Sequence, residues 1–184
     1  MTRFLPGLLL GLAMALGAEA RDSDPPASIY RLEAALTDQS GVARGLDVHR
    51  GHPVLITLFY GGCTVTCPLI IDSLRATERA LGEAERANLR VLMVSIDPKG
   101  DTPETLRALA ESRRIDTSRW TLARADEATV RKIAALLNVQ YRELPDGGFN
   151  HSTTIAVLSP LGEIEATTAS LGTPSKEVLA KLRR

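Results

Sequence analysis

Two cysteines, Cys63 and Cys67, are the residues in this chain with the clearest capacity for chemistry, and the chain has no other cysteine. They lie four positions apart, after an apolar run and directly before Pro68. Thiols at this spacing lie within about one helical turn of each other, so they can share a metal ion or close a disulfide. The start of a helix also favours the thiolate, which is the form that binds metals and attacks disulfides. The segment therefore predicts a reactive pair.

Residues 1–20 have the pattern of a secretory signal peptide. Arg3 is followed by an apolar stretch without charge over residues 4–17, and Ala18-Glu19-Ala20 is a small-x-small cleavage site. The stretch is shorter than the roughly 20 residues that span a bilayer. We expect a periplasmic protein that is soluble after cleavage, or tethered to the inner membrane if the N-terminus is retained. A polar lead-in over residues 21–28 then precedes a single domain over residues 29–184.

Export leaves a structural disulfide between Cys63 and Cys67 as an alternative. A bridge across such a short loop removes little entropy from the unfolded chain, so this role is the weaker one. Acidic and basic residues balance at 22 each, and aromatic residues make up 4% of the chain. This composition argues against binding of nucleic acid and favours a monomer.

The order of predicted elements indicates an α/β protein. The expected elements are a buried strand over 54–60, a helix after Pro68, a second buried strand over 89–96, a helix from Pro103 to about Arg114 with Thr102 as N-cap, a short strand at 120–122, a helix capped by Asp126, a hairpin over 152–158 and 163–168, and a last helix from Thr173-Pro174. In the first helix we expect Leu69, Ile70, Leu74 and Leu81 to face inward. A mixed central sheet with helices on both faces fits this order, and the thioredoxin-like fold places a reactive pair where Cys63 and Cys67 lie.

Three histidines can be weighed as partners of the cysteines. His49 and His52 precede the first buried strand, which separates them from Cys63 by roughly 20 Å or more at about 3.3 Å per residue. We expect His151 to begin a strand after a glycine-containing loop that can fold across the sheet edge. From these residues alone, a loop histidine bonded to a nearby hydroxyl such as Ser152 is the favoured interpretation.

Two thiolates and one imidazole suit copper, since sulfur favours Cu(I) and Cu(II) accepts the nitrogen. Zinc usually takes a fourth protein ligand in a structural site, so it is the less favoured metal. Asp97 ends the second buried strand and is expected at the same sheet edge as the cysteines, where it could orient a ligand. Asp97-Pro98 is also an ordinary turn signal, and we favour that interpretation.

The chain resembles the Sco (SenC-type) family of copper-binding, thioredoxin-like proteins, which assist assembly of the binuclear copper centre of cytochrome c oxidase. The similarity is carried in order by Leu36-Thr37-Asp38-Gln39-Ser40-Gly41, by Cys-x-x-x-Cys-Pro at 63–68, by Val94-Ser95-Ile96-Asp97-Pro98 with Asp101-Thr102-Pro103-Glu104, and by His151-Ser152-Thr153. Thr64 and Val65 stand where the family usually has Pro and Asp, and Asn150 stands where it often has Asp. We expect these departures to alter metal affinity or thiol pKa more than ligand identity.

The resemblance implies that Cys63, Cys67 and His151 bind copper as Cu(I), Cu(II) or both. It implies a periplasmic copper chaperone, not an enzyme in the strict sense, which assists metallation of the oxidase copper centre. The implied partners are a copper-accepting subunit of cytochrome c oxidase and another periplasmic copper chaperone. The alternative is a thiol–disulfide oxidoreductase with Cys63 and Cys67 as catalytic residues, which reduces cysteines of a copper acceptor or of another exported protein. Peroxide reduction has little support in the sequence.

Overall fold

The structure, a computed structural model, describes residues 24–63 and 66–183. The predicted signal peptide over residues 1–20 lies outside the described residues, as do Thr64 and Val65. None of the helices in the described ranges combines the length and apolar character that a membrane span requires.

Two adjacent strands, buried on both faces, form the centre of the fold. Val54–Phe59 (β3) and Arg90–Ser95 (β4) pair in parallel, with Phe59 opposite Ser95 at the end of the ladder. Every residue of β3 is buried. A strand covered by other elements on both faces reads as a continuous apolar run, which is why the sequence predicts it well.

The other strands extend this pair into a mixed sheet. They are Leu36–Asp38 (β1), Ala43–Arg44 (β2), Trp120–Arg124 (β5), Tyr141–Glu143 (β6), Phe149–His151 (β7), Ile155–Leu158 (β8) and Ile164–Thr168 (β9). The main sheet has the order β2-β1-β5-β4-β3-β8-β9, in which β3, β4 and β5 are parallel and the outer pairs are antiparallel. The predicted mixed sheet and the β8–β9 hairpin are confirmed. Strands β6 and β7 form a separate two-stranded sheet, here called the small hairpin.

Helices cover both faces of the main sheet, as predicted. They are Thr66–Arg79 (α1), Glu83–Asn88 (α2), Pro103–Ser112 (α3), Glu127–Leu136 (α4) and Lys176–Leu182 (α5), with a 3-10 turn at Ile29–Arg31. Alternate side chains of β3 belong to two hydrophobic clusters. The first contains Leu55 and Phe59 with buried residues of α1, α3 and α5, and the second contains Ile56 with buried residues of α4 and the N-terminal segment.

Polar caps fix where the helices begin. Thr102 accepts a hydrogen bond from the Thr105 amide, and Pro103 is the first residue of α3, as predicted. Asp126 accepts from the Thr129 amide at the start of α4, also as predicted. The last helix begins slightly later than predicted, because Ser175 rather than Thr173 is its N-cap.

Helix α1 differs from its prediction in two respects. It begins at Thr66, before Pro68, because a proline in the first helical turn lacks only an amide that would have no helical partner. The prediction that Leu69 faces inward is wrong, since this side chain is 49% exposed. Cys67, Ile70 and Leu74 define the buried face at helical spacing, and Leu69 lies off that face.

The prediction that His151 begins a strand is also wrong. His151 is the last residue of β7 and pairs with Tyr141 across the small hairpin, and β8 begins only at Ile155. Gly147, with φ of +80°, allows the tight turn that joins the two strands. The Asp146-Gly147 dipeptide is the sequence signal for this hairpin.

Residues 24–28, which belong to the predicted polar lead-in, pack against the domain. Asp24 is buried and accepts from the Arg50 guanidinium, with Nη2 to Oδ2 at 2.8 Å. Ser28 is bridged to Glu163 beside β9. Only the chain before Asp24 lies outside the described part of this segment.

Candidate metal-binding site

The predicted cysteines lie together at the end of the central strand. Gly61 and Gly62 carry the chain from β3 towards α1, and the Cys63 amide donates to the Tyr60 carbonyl at 3.3 Å; this segment is called the Cys63 turn. The Cys67 amide donates to Cys63 Sγ at 3.3 Å, and no disulfide joins the two residues. Cys63 is half-buried and Cys67 is 4% exposed. Their proximity makes a shared metal ion or a disulfide possible with small movements.

The pKa of the Cys67 thiol differs from what the sequence predicts, because this residue is buried. Burial raises the pKa of Cys67 to about 12; the Tyr60 backbone opposes this shift, and nearby Cys63 and Asp101 add to it. The expectation that the helix start favours a thiolate is therefore wrong for Cys67, because loss of solvation outweighs the helix dipole. A metal ion that binds Cys67 must displace this proton.

A buried carboxylate lies under the Cys63 turn. The Gly61 amide donates to both oxygens of Asp101, at 3.1 Å to Oδ1 and 2.9 Å to Oδ2, and the Ser95 hydroxyl donates to Oδ2. Asp101 is 3% exposed. Burial raises its pKa, and the hydrogen bonds from Ser95 and Gly61 oppose that rise. Sequence reasoning missed this residue: Asp101 belongs to a motif shared with the family, but nothing in the sequence shows that its side chain turns back to β3.

Asp97, which the sequence analysis considered as a residue that could orient a ligand, bonds its own loop instead. Its Oδ1 accepts from the amides of Lys99 at 3.2 Å and Gly100 at 2.8 Å. These contacts close the turn after β4, which is the interpretation that the sequence favoured.

Tyr60 connects the cysteines to the small hairpin. Its ring lies 5.3 Å from that of Phe149 and 6.1 Å from that of His151, measured between centroids, and it meets the imidazole edge-on. Burial raises the pKa of Tyr60; the Phe149 backbone opposes the rise, and the adjacent Cys63 thiol adds to it. One aromatic side chain therefore contacts both Cys63 and His151.

His151 presents one nitrogen in a form suited to metal binding. Its Nδ1 lies 3.1 Å from the Ser152 carbonyl, which can only accept, so Nδ1 carries the proton and donates. In the neutral imidazole, this bond leaves the lone pair on Nε2. This atom is buried and has no hydrogen-bond partner within residues 24–63 and 66–183. A buried polar atom without a partner is unusual and calls for an explanation.

The three predicted ligands are neighbours but do not yet form a ligand set. Within the described ranges, no three His, Cys, Asp or Glu side chains are grouped closely enough to hold a metal ion. Binding by all three predicted residues requires movement of the small hairpin or of the Cys63 turn. His49 and His52, which the sequence places far from Cys63, have other partners: His49 Nε2 lies 3.0 Å from Thr121 Oγ1, and His52 Nδ1 lies 2.7 Å from Asn88 Oδ1.

A cavity of about 490 Å³ lies nearby and is not the candidate site. It is bounded by residues of the β4–α3 loop, the start of α4 and the small hairpin, including Ile96, Glu127, Tyr141 and Phe149. None of Cys63, Cys67 and His151 lines it.

Comparison with known proteins identifies the family of the chain. A family model described as SCO1/SenC matches residues 25–184. The chain belongs to the SCO1/SenC family. The resemblance seen in the sequence is thereby confirmed. A comparison with curated protein sequences gives no match.

Solved structures of Sco proteins share the fold of this SCO1/SenC chain. ScoI of Bradyrhizobium japonicum, described with copper bound, is 25% identical, with a TM-score of 0.66 over 81% of this chain and 94% of that one. Yeast Sco1, also described with copper bound, is 17% identical, with a TM-score of 0.64 over 81% and 83%. BsSco is 17% identical, with a TM-score of 0.68 over 87% and 94%, and is described as having a disulfide switch and as a member of the Sco family of cytochrome c oxidase assembly proteins. These matches confirm the predicted thioredoxin-like fold.

Proposed function

We propose that this SCO1/SenC protein is a periplasmic copper chaperone that holds copper through Cys63, Cys67 and His151 and assists metallation of the binuclear copper centre of cytochrome c oxidase. The observation that carries the proposal is the buried Nε2 of His151, which has no hydrogen-bond partner among the described residues and lies one aromatic ring away from two adjacent thiols. The copper-bound relatives support the choice of metal, and the description of BsSco supports the choice of acceptor.

The donor set fits copper better than zinc. Two sulfur ligands and one imidazole satisfy Cu(I), and Cu(II) can add a water or oxygen ligand. A structural zinc site would take a fourth protein ligand, and the proposed set supplies three.

Copper here is cargo, so the site must also release it. Cys63 is half-buried and therefore within reach of an incoming ligand. His151 is on the small hairpin, outside the main sheet. We expect transfer by ligand exchange, in which the acceptor replaces His151 first and the two thiols afterwards.

The periplasmic location rests on the signal-peptide pattern of residues 1–20. Cell fractionation of the full chain tests it. A mature species in the periplasmic fraction, or a full-length species in the inner-membrane fraction, agrees with the proposal, and a cytoplasmic protein contradicts it.

The decisive experiment is an anaerobic Cu(I) competition titration of the reduced protein. The variants are His151→Ala, the double variant Cys63→Ser with Cys67→Ser, and His52→Ala as a matched histidine control. We expect tight one-to-one binding by the wild type, loss in the double variant, weakening in His151→Ala and no change in His52→Ala. Absence of tight binding by the wild type would refute the chaperone function. Unchanged affinity of His151→Ala in this titration, and in a parallel titration with Cu(II), would remove His151 from the site.

The thiol pair also supports a second function, reduction of disulfides. The contact between the Cys67 amide and Cys63 Sγ and the unequal burial of the two residues support a different role for each cysteine in this reaction. Cys63 attacks a target disulfide as the thiolate and forms a mixed disulfide, while one target thiolate leaves. Cys67 then passes its proton to the target thiolate that has left and attacks Cys63 Sγ, which closes the Cys63–Cys67 disulfide and releases the second target thiolate. The target gains two electrons and the protein loses two.

Copper-free kinetics test this second function. The reduced wild type should reduce a disulfide in a copper-acceptor peptide completely, whereas Cys67→Ser should stop at the mixed disulfide. Equal rates of complete reduction by both proteins would rule out the mechanism.

A further inference from the structure

We infer that Asp101 is a positioning residue for the Cys63 turn: its buried carboxylate holds the Gly61 amide and so fixes where Cys63 is presented to Cys67 and to an incoming metal ion. The copper part of this inference rests on the proposed function, whereas the effect on the thiol pair does not.

The carboxylate joins the ends of the two central strands. Gly61 follows β3 and donates to both Asp101 oxygens, while Ser95, the last residue of β4, donates to Oδ2. Phe59 and Ser95 are partners in the parallel ladder, so both donors emerge at the same sheet edge. Charge-assisted hydrogen bonds of this kind are about twice as strong as neutral ones.

Asp101 is itself held in place from its own loop. Its amide donates to the Asp97 carbonyl at 3.0 Å, and Thr102, the next residue, is the N-cap of α3. The side chain is almost fully buried. Burial and the bonds to Gly61 and Ser95 therefore hold the carboxylate under the Cys63 turn.

The Cys63 turn, which Asp101 holds, contains two consecutive glycines and would otherwise be conformationally free. Glycine has the widest backbone freedom of any residue type, and Gly61 and Gly62 directly precede Cys63. The hydrogen bond from the Cys67 amide to Cys63 Sγ depends on the course of this turn. Without the carboxylate, the Gly61 amide loses its acceptor and the turn loses its fixed connection to β4.

Two measurements on Asp101→Ala test the inference. The first is the equilibrium between the Cys63–Cys67 dithiol and its disulfide in glutathione buffers without copper, and the second is Cu(I) affinity by competition. We expect the dithiol–disulfide constant to change by about tenfold or more and Cu(I) affinity to fall by about tenfold, the lower end of the range for residues that orient metal ligands. Asp101→Asn keeps an oxygen acceptor for Gly61 and should stay within about twofold of the wild type in both measurements.

Two carboxylates serve as matched controls. Asp97→Asn alters a carboxylate in the same loop that bonds Lys99 and Gly100 but not Gly61. Asp38→Ala removes a buried carboxylate that accepts from the amides of Ser40 and Val42 at a different turn. Asp38→Ala should lower stability and leave both measurements at the thiol pair unchanged.

The outcomes separate the two claims. If the wild type binds no copper, the chaperone proposal fails, and the glutathione equilibrium still decides the role of Asp101. If Asp101→Ala matches the wild type within twofold in that equilibrium, the positioning role is refuted. Should Asp101→Ala fail to fold, Ser95→Ala replaces it: loss of the hydroxyl that holds Oδ2 should shift the equilibrium by about threefold, and no shift would refute the inference.

Discussion

Substitution of Gly61 by alanine should destabilise the protein through a contact that the structure defines. A Cβ added to Gly61 would lie 2.4 Å from Asp101 Oδ1. Carbon–oxygen contacts are normally about 3.3–3.6 Å, so the atoms must separate by roughly 1 Å. Buried Asp101 can yield only by weakening its bonds to Gly61 and Ser95. Hydrogen bonds to charged groups contribute about 1.5–3 kcal/mol, and we expect the free energy of unfolding to fall by about 2–3 kcal/mol.

Gly62→Ala is the matched control. A Cβ at Gly62 would meet carbons of the Tyr60 ring at 3.6 Å, an ordinary contact, and neither glycine has a positive φ. We expect a change of less than about 1 kcal/mol there. Urea unfolding followed by the fluorescence of Trp120, the one tryptophan in the chain, measures both variants. At about 2–4 °C per kcal/mol, Gly61→Ala should lower Tm by about 4–12 °C. A difference between the variants below about 0.5 kcal/mol would show that Asp101 does not constrain the turn.

Three further predictions concern stability away from the thiol pair. Burial lowers the pKa of His49 from 6.5 to about 4 in the folded protein, so the free energy of unfolding is highest above pH 6.5 and falls by up to about 3 kcal/mol as the pH is lowered towards 4. Urea unfolding of His49→Gln should show a flatter pH dependence in that window, and an unchanged slope would contradict this. The buried Trp120 indole N–H donates to Glu78 Oε1 at 3.1 Å. Glu78→Ala removes this acceptor and should lower the free energy of unfolding by about 1–3 kcal/mol in the same assay. Thr102→Ala removes the cap that accepts from the Thr105 amide and should cost about 1 kcal/mol in thermal unfolding, whereas Thr102→Ser should restore most of it.

The sequence predicts those parts of the fold that follow from local patterns. The β3 strand is an uninterrupted apolar run, and Thr102 with Pro103 carries the ordinary chemistry of a helix start. The thiol pair follows from spacing alone, because four residues place two thiols together in almost any compact conformation. In these cases the contacting residues are close together in the sequence, so local sequence patterns are enough to predict them.

The remaining features depend on long-range packing. Asp101 reaches back 40 positions to Gly61, and no local pattern distinguishes it from Asp97, which caps its own turn. Leu69 fits a helical apolar pattern, but only the packing of α1 on the sheet decides that it points outward. The acidity of Cys67 follows from burial, which a position at a helix start does not reveal.

His151 and the two cysteines are positioned by two sheets that differ greatly in size. The cysteines follow the central strand of a seven-stranded sheet, whereas His151 ends a hairpin of two strands, a unit that is marginal by itself. We expect the hairpin to open at a free-energy cost well below that of global unfolding, as local units of proteins do. In the proposed site, the lifetime of a metal ion held by His151 would follow this local opening, and stabilising the core would leave it unchanged. Hydrogen exchange should show the difference directly: the amides of β6 and β7 should exchange well before those of β3 and β4.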